Sequence, residues 1–414
     1  MQRIFARTSD CGVPAVEEEG NVPLGTAVGT TESATASLSG GTMTPIPLNR
    51  RVAVLTDFGS ADRLQVTSKP IPKITRPDEI LVRVRATSVN PIEWKMRKGL
   101  GLPKPVWRLL LGKPAILGLD FSGTVIDCGA DVKEFTEGQD VMGALPLCGS
   151  YAEYVLMRPA NRHTALAIKP AAVSHAEAAL VPFAGLVAYA GLVTHGRLRG
   201  PAPSARVLIV GASGGVGHLA VQMAKHGLEA GYVVGISSRR NRPFVTSCGA
   251  DHVLAYDEIA PEEIVGRHPE WSRTFDLIFD AVGDDTYWRK VAPALLKEGG
   301  RYVAAALPQS TLGRPGEDVG LIGALATIGR LAWRRSGRRY AMIAGLIGDL
   351  PSKTGFPVIV KWVAEGKVAA TRAATFPLEK IADAHRLSEA GRTVGKISIV
   401  MGETSSSDGS ACST

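Results

Sequence analysis

No stretch of the chain limits the possible folds as strongly as the glycine-rich turn at 211–217, which follows a hydrophobic strand and opens a helical stretch. Glycines at such a turn let the backbone bend tightly, approach a pyrophosphate and pack the helix closely on a sheet. The amides at the helix N-terminus then face the phosphates, where the helix dipole favours negative charge. Because a strand and a helix flank it, the turn predicts a dinucleotide site. The predicted contacts are Gly211, Ala212, Ser213, Gly214, Gly215, Val216 and Gly217.

The residues that follow the next strand indicate which dinucleotide binds. A site for NAD usually places an acidic residue there, about twenty residues beyond the glycines, to bind the ribose hydroxyls. This chain has a Ser-Ser-Arg-Arg sequence at 237–240 instead. Arginine forms charge-assisted bonds to a 2′-phosphate, which a carboxylate would repel. The pattern predicts NADPH, with Ser238, Arg239 and Arg240 as contacts and Tyr256 beneath the phosphate, and a solvated basic loop is the alternative.

Strand and helix patterns alternate in the second half of the chain. A capping box at Ser174–Glu177 begins a helical stretch, and hydrophobic strands at 232–236, 275–280 and 301–304 are separated by helical patterns. This order predicts a parallel, doubly wound sheet. The preceding residues, from Arg51 to about 170, show short strands punctuated by glycine and proline, which predicts a mostly β domain. A last strand is predicted at 396–400, and the alternation alone does not assign it to a sheet.

Composition restricts the class of protein without naming a ligand. Hydrophobic residues make up 45% of the 414 residues and charged residues 21%, which is a globular balance. The net charge of +8 suits an anionic ligand, nucleic acid or an acidic membrane surface equally. Five scattered cysteines argue against a disulfide framework and favour a reducing compartment. The longest apolar stretch, Val319–Trp333, is shorter than the roughly 20 residues of a membrane span, so it predicts a buried helix.

Both ends of the chain have compositions typical of disorder. Residues 20–44 are mostly small or polar and offer little apolar area to bury, and the tail from Glu403 is rich in serine. Arg3 and Arg7 are typical of an organellar targeting sequence, but three glutamates at 17–19 contradict its usual lack of acidic residues. We therefore predict a cytoplasmic protein, with mitochondrial import as the alternative.

Several motifs in a fixed order extend this interpretation. They are SVNP at 88–91, LGLDFSG at 117–123, GSYAEY at 149–154, the glycine-rich turn, CGAD at 248–251, FDAVG at 279–283 and GK at 395–396. From about Arg51 to Met401 the chain resembles the zinc-free quinone oxidoreductase branch of the medium-chain dehydrogenase/reductase superfamily. The resemblance implies an α/β fold in which a Rossmann doubly wound parallel sheet is inserted in a GroES-like, mostly β domain.

The resemblance and the composition together divide the chain into five predicted segments. These are a disordered extension at 1–49, a GroES-like catalytic domain at 50–172, a Rossmann domain at 173–345, a C-terminal segment at 346–401 that completes the catalytic domain, and a disordered tail at 402–414. The active site would then lie in the cleft between the two folded domains.

The resemblance also implies a site without zinc. Zinc-dependent relatives carry a cysteine after the second strand and a Gly-His-Glu further on, where this chain has Asn90–Ile92 and Gly118–Asp120. A tetrahedral zinc site needs three or four converging N, S or O ligands, so no metal is predicted. Asn90 is the predicted catalytic residue, beside the nicotinamide and the substrate, with a turn asparagine before a proline as the alternative. Asp120 is predicted to be structural, and Tyr151 to belong to the core.

These features favour an NADPH-dependent reductase that transfers hydride to a quinone or to the C=C bond of an α,β-unsaturated carbonyl. One alternative is an enoyl-thioester reductase of fatty-acid or polyketide synthesis, although the tyrosine that mitochondrial members use is missing from 92–111. A second is a non-enzymatic NADPH-binding or membrane-associated protein, in which the basic cluster Arg330–Arg339 contacts an anionic membrane. The expected partner is a small-molecule quinone, enone or enoyl substrate and not nucleic acid. Homodimer formation is left open.

Overall fold

The computed structural model describes residues 46–100, 103–112, 114–283, 286–305, 339–343 and 350–402. Three regions singled out from the sequence lie outside these ranges almost entirely. They are the N-terminal extension, the apolar stretch with its basic cluster at 319–339, and the tail from residue 403. The described residues from Pro47 onward belong to one structural unit.

Strands dominate the residues before the capping box at Ser174. They are β1 (Asn49–Leu55), β2 (Leu64–Pro70), β3 (Ile80–Val89), β4 (Ala115–Ile116), β5 (Asp120–Cys128), β6 (Asp140–Ala144), β7 (Tyr154–Met157) and β8 (Ala165–Ile168). Two helices interrupt them, α1 (Pro91–Arg97) and α2 (Lys104–Leu111). The sequence pattern missed both because helices of seven and eight residues are too short to show a clear period.

The second half of the chain forms the predicted parallel sheet. Its strands are β9 (Arg206–Val210), β10 (Tyr232–Ser237), β11 (His252–Ala255), β12 (Phe275–Asp280), β13 (Leu296–Ala304) and β14 (Tyr340–Met342). They lie in the order β11-β10-β9-β12-β13-β14, and every neighbouring pair is parallel. The strand order reverses between β9 and β12, and in such sheets ligands bind at the carboxyl ends beside that point. The glycine-rich turn follows β9 directly.

Helices pack on this sheet or lie between it and the first domain, and the last of them packs on the first domain. They are α3 (His175–Ala178), α4 (Pro182–Tyr189), α5 (Gly217–Gln222), α6 (Arg242–Ser247), α7 (Ile264–Arg267), α8 (Ala292–Leu295), α9 (Phe356–Ala364) and α10 (Ile381–Glu389), with π-helical continuations of α4 and α5. The predicted capping box is confirmed: the Glu177 amide donates to Ser174 Oγ, and the Ser174 amide donates to the Glu177 carboxylate. The run His175–His195 is apolar and long enough to cross a membrane, but 78% of its most apolar window is buried, as in core helices of soluble proteins.

The last two strands return to the first domain. They are β15 (Arg372–Pro377) and β16 (Lys396–Val400). Strand β16 pairs antiparallel with β3, with Ile397 opposite Val89, so the sheet order is β15-β16-β3-β5-β6-β8. The predicted fold class is confirmed, because a Rossmann sheet is inserted in a mostly β domain that the C-terminal strands extend. The pairing also brings Lys396 beside the end of β3, where Asn90 begins α1.

Substitution of Gly191 tests how closely the π-helical continuation of α4 packs on the parallel sheet. A Cβ atom on Gly191 would lie 2.2 Å from a ring carbon of Phe279, in β12. We expect Gly191→Ala to lower the free energy of unfolding by about 1–3 kcal/mol, because overpacking forces the ring or the helix to move. Urea denaturation measures the change. Gly266→Ala is the matched control, because nothing lies within 4 Å of a Cβ at that helical position. Equal stability of the two variants would contradict the packing argument.

Candidate active site

The glycine-rich turn is packed too closely to accept larger residues at two positions. Gly211 has φ +75°, and a Cβ atom on it would lie 2.6 Å from a methyl group of Val282. A Cβ atom on Gly217 would lie 2.1 Å from the carbonyl oxygen of Gly211. Glycine is therefore required at both positions, which is the local reason why the chain turns so sharply between β9 and α5.

Backbone donors remain available in this turn. The amides of Gly211 and Ala212 donate to the carbonyl oxygen of Ile236, and the Gly214 amide donates to Gly211. Within the described part of the chain, the amides of Ser213, Gly215 and Val216 make no hydrogen bond. These three donors fit a pyrophosphate, which the predicted dinucleotide would place here.

The residues predicted to select the cofactor lie at the carboxyl end of β10 and β11. Ser238 is 8% exposed, and its hydroxyl group is buried without a hydrogen-bond partner among the described residues. Arg240 is exposed and makes no ion pair there either. Arg239 instead pairs with Glu258 at 3.1 Å, and the Tyr256 amide donates to the Ser237 carbonyl oxygen. An unsatisfied buried hydroxyl beside a free arginine fits a 2′-phosphate.

Asn90 lies at the start of α1, enclosed by charged groups. Its side chain is 2% exposed, and its amide nitrogen donates to Asp120 Oδ2 at 2.9 Å and to Glu93 Oε1 at 3.3 Å. The ammonium group of Lys396 donates to its amide oxygen. Its backbone amide donates to the Glu93 side chain, so Asn90 and Glu93 form a capping box. Pro91 occupies the first helical position. The predicted catalytic residue is thus also the N-cap of a helix.

Asp120 is completely buried, yet it is well supplied with donors. One carboxylate oxygen accepts from the Phe183 amide at 2.6 Å, and the other lies 3.3 Å from Lys396 Nζ. Ser88 and Asn90 also donate to this second oxygen. Asp120 therefore joins strands β3 and β16 to the start of α4, which agrees with the structural role expected for it.

Glu93, Tyr151 and His385 form a second buried group that the sequence analysis missed. The Tyr151 hydroxyl donates to Glu93 and lies 3.0 Å from His385 Nε2. Burial, with a smaller contribution from nearby Asp120, raises the pKa of Glu93 to about 7 against the opposing hydrogen bonds of Asn90 and Tyr151. Burial lowers the pKa of His385 to about 3, so the imidazole is neutral. The Asn-x-x-Glu spacing could have revealed Glu93 as a capping residue, whereas no local pattern marks His385.

The C-terminal segment contacts the glycine-rich turn directly. The Gly395 amide donates to the Ser213 carbonyl oxygen at 3.0 Å, and a Cβ atom on Gly215 would lie 3.0 Å from Cδ of Lys396. His218 adds a second link, because burial lowers its pKa to about 4 and leaves it neutral. Its Nδ1 then donates to the Gly214 carbonyl oxygen at 2.8 Å, and its Nε2 accepts from the Thr371 amide at 3.1 Å. The glycine-rich turn therefore lies next to the buried side chains of Asn90, Asp120 and Lys396, which we call the Asn90 group.

The positions of the zinc ligands in zinc-dependent relatives hold groups engaged in these contacts. Asn90 binds Lys396 and Asp120, and the Leu119 amide donates to Glu93 at 2.9 Å. Among the described residues, no group of three or more His, Cys, Asp or Glu side chains is arranged to hold a metal ion. The absence of zinc stays a prediction.

Both domains match known protein families. Residues 76–171 match the family described as the alcohol dehydrogenase GroES-like domain. Residues 248–399 match the family described as zinc-binding dehydrogenase. The first match lies in the mostly β domain, and the second runs from the residues before β11 through the rest of the parallel sheet into β16.

Relatives match over most of their length. The human mitochondrial NAD(P)H oxidoreductase RTN4IP1 is 32% identical over 363 residues, which cover 83% of this chain and 87% of the human protein. The chloroplast envelope quinone oxidoreductase homolog of Arabidopsis thaliana is 30% identical over 347 residues, covering 82% and 94% respectively. Among solved structures, the quinone oxidoreductase from Coxiella burnetii superimposes with a TM-score of 0.68 at 28% identity, covering 86% of this chain and 100% of that one.

Glu93 should give the folded protein a distinctive dependence of stability on pH. Because burial raises its pKa from 4.5 to about 7, the folded state holds a proton between these values that the unfolded state releases. The free energy of unfolding should therefore decrease as pH rises through this window, by up to about 1.4 kcal/mol per pH unit. Glu93→Gln imitates the protonated form and should remove this slope, which urea denaturation at several pH values measures. Glu263→Gln, on the surface, should keep the wild-type slope. A slope that persists in Glu93→Gln would assign the proton to another group.

Proposed function

The chain belongs to the quinone oxidoreductase-like branch of the medium-chain dehydrogenase/reductase superfamily, and on this basis we propose that it reduces a quinone or the C=C bond of an α,β-unsaturated carbonyl with NADPH. It is an NAD(P)-dependent oxidoreductase, as its relatives are. The observation that carries the proposal is the contact between Lys396 and Gly215, which makes the dinucleotide turn and the Asn90 group neighbours. A dinucleotide whose pyrophosphate is bound at the turn would then bind next to Asn90.

The residues after β10 support NADPH over NADH. The buried hydroxyl group of Ser238 needs a partner, and Arg240 offers a guanidinium that no described residue engages. Two carboxylates next to this loop are already engaged, because Asp257 accepts from the Arg239 amide and Glu258 pairs with Arg239 and Arg242. A 2′-phosphate would satisfy both Ser238 and Arg240.

The bound cofactor supplies a hydride from nicotinamide C4, and the protein supplies orientation. Asn90 is held rigidly by Lys396, Asp120 and Glu93, so its amide would fix the position of the group it contacts. Tyr151 is completely buried and its hydroxyl is engaged by Glu93 and His385, so it is not placed to protonate a substrate. We propose that the product anion takes its proton from solvent or from a bound water.

Location and assembly also stay proposals. Cytoplasmic location remains our expectation, with mitochondria as the alternative, and the named relatives include one mitochondrial and one chloroplast protein. Homodimer formation and contact of the basic cluster Arg330–Arg339 with an anionic membrane are likewise proposals. A screen of NADPH oxidation against quinones, enones and enoyl-thioesters distinguishes the proposed reductase from its alternatives.

Arg240 should determine the choice of cofactor. We expect wild-type protein to bind NADPH at least about tenfold more tightly than NADH, because a charge-assisted contact contributes roughly 1.5–3 kcal/mol. Arg240→Ala should remove most of this preference and leave NADH affinity nearly unchanged, as measured by cofactor fluorescence titration. Arg242→Ala is the matched control, because this arginine is already paired with Glu258. Equal losses of affinity for NADPH and NADH in Arg240→Ala would refute the assignment.

The fate of labelled hydrogen tests the proposed chemistry. Deuterium from C4-labelled NADPH should appear on the β-carbon of an enone product, and solvent deuterium at the α-carbon. Asn90→Ala should lower turnover measurably without abolishing it, and Tyr151→Phe should change turnover little. Mass spectrometry and NMR of the product locate the label. Loss of the C4 label to water would disprove direct hydride transfer.

Turnover should not depend on zinc. Treatment of the enzyme with a chelator should leave turnover unchanged, and turnover that then requires added zinc would refute the metal-free site.

A further inference from the structure

Lys396 is a buried cation whose role nothing above assigns. It is 3% exposed, and it is the first residue of β16. Its ammonium contacts the Asn90 amide oxygen and lies 3.3 Å from Asp120 Oδ2, while its stem lies against Gly215. One side chain therefore spans the distance from the dinucleotide turn to the predicted catalytic residue.

The chemistry of these partners gives the Asn90 amide a single orientation. An ammonium group only donates hydrogen bonds, and an ionised carboxylate only accepts them. Because the Lys396 ammonium can only donate, the amide oxygen must face it, which leaves the amide nitrogen to donate to Asp120 at 2.9 Å and to Glu93 at 3.3 Å. Both N–H groups are then engaged, and the oxygen keeps one free lone pair. Asn90 in this state can accept one more hydrogen bond, but it cannot donate to a substrate carbonyl without breaking a buried contact.

We propose that Lys396 is a positioning residue for hydride transfer, which holds the Asn90 amide with its oxygen available only as an acceptor. This inference rests on the proposed function. Asp120 acts as the counter-charge that keeps the ammonium in place, and it is itself anchored by the Phe183 amide at 2.6 Å. Without the ammonium group, the Asn90 side chain loses the contact that distinguishes its oxygen from its nitrogen. Turnover then falls because fewer molecules hold the amide correctly at the moment of transfer.

Lys396→Met tests the ammonium group separately from the stem. Methionine keeps an unbranched apolar chain against Gly215, so NADPH affinity should stay within about threefold, whereas kcat should fall at least about tenfold. Kd is measured by NADPH fluorescence and kcat with the best acceptor from the screen. Lys380→Met, at an exposed lysine, is the control and should change neither value. A parallel loss of NADPH affinity and kcat, or an unchanged kcat, would overturn the proposal.

A double-mutant cycle shows whether Lys396 acts through Asn90. If it does, Lys396→Met should lower the kcat of the Asn90→Ala variant by less than about twofold further. Effects that multiply would mean that Lys396 acts independently, and they would also overturn the proposal.

If Lys396→Met fails to fold because Asp120 is left as a buried unpaired charge, the cycle is measured in an Asp120→Asn background, where that charge is removed. Wild-type protein that binds NADPH but reduces none of the acceptor classes would reject the proposed function, and this inference with it. An active wild type with multiplicative effects would reject the inference alone.

Discussion

The buried ion pair between Lys396 and Asp120 joins strand β16 to strand β5 beside the predicted catalytic residue. A buried charge pair is tolerated only when its geometry is good and further hydrogen bonds satisfy the remaining valences. Asp120 meets this condition with donors from Ser88, Asn90 and Phe183 in addition to Lys396. Because these donors come from β3, α1, α4 and β16, one carboxylate sets the relative positions of four elements.

The return of the chain to the first domain makes that ion pair possible. The whole parallel sheet is inserted between β8 and β15, yet β16 pairs with β3 in a register that places Lys396 beside Asn90. The same C-terminal segment contacts the glycine-rich turn directly through Gly395, and through His218, which bonds both Thr371 and Gly214. Cofactor turn and predicted catalytic residue are therefore held by one strand, and movement of that strand would disturb both.

Burial keeps two histidines neutral at this junction. His218 donates to the Gly214 carbonyl oxygen and accepts from Thr371, which its neutral form alone can do. His385 is buried against Tyr151, and Arg97 nearby lowers its pKa further. Neither histidine therefore carries an extra proton near neutral pH, which agrees with the proposal that solvent or a bound water protonates the product.

The sequence by itself determined the features that depend on neighbouring residues. The glycine-rich turn, the alternation that produces the parallel sheet, the capping box at Ser174 and the bounds of β16 all follow from local propensity and pattern. These features need no distant contact, because backbone sterics and the burial of one face specify them. The motif order also identified the family, and the comparisons confirm it.

Only the tertiary structure decided which residues meet at the site. Lys396 contacts Asn90 across 306 positions of sequence, and Tyr151 meets His385 across 234. The tertiary structure also distinguishes two adjacent arginines that the sequence pattern treats alike, because Arg239 forms an ion pair with Glu258 and Arg240 does not. No local pattern encodes such contacts, because they arise where strands and helices pack. The dinucleotide turn is therefore evident from the sequence, whereas the charged side chains beside it meet only because β16 pairs with β3.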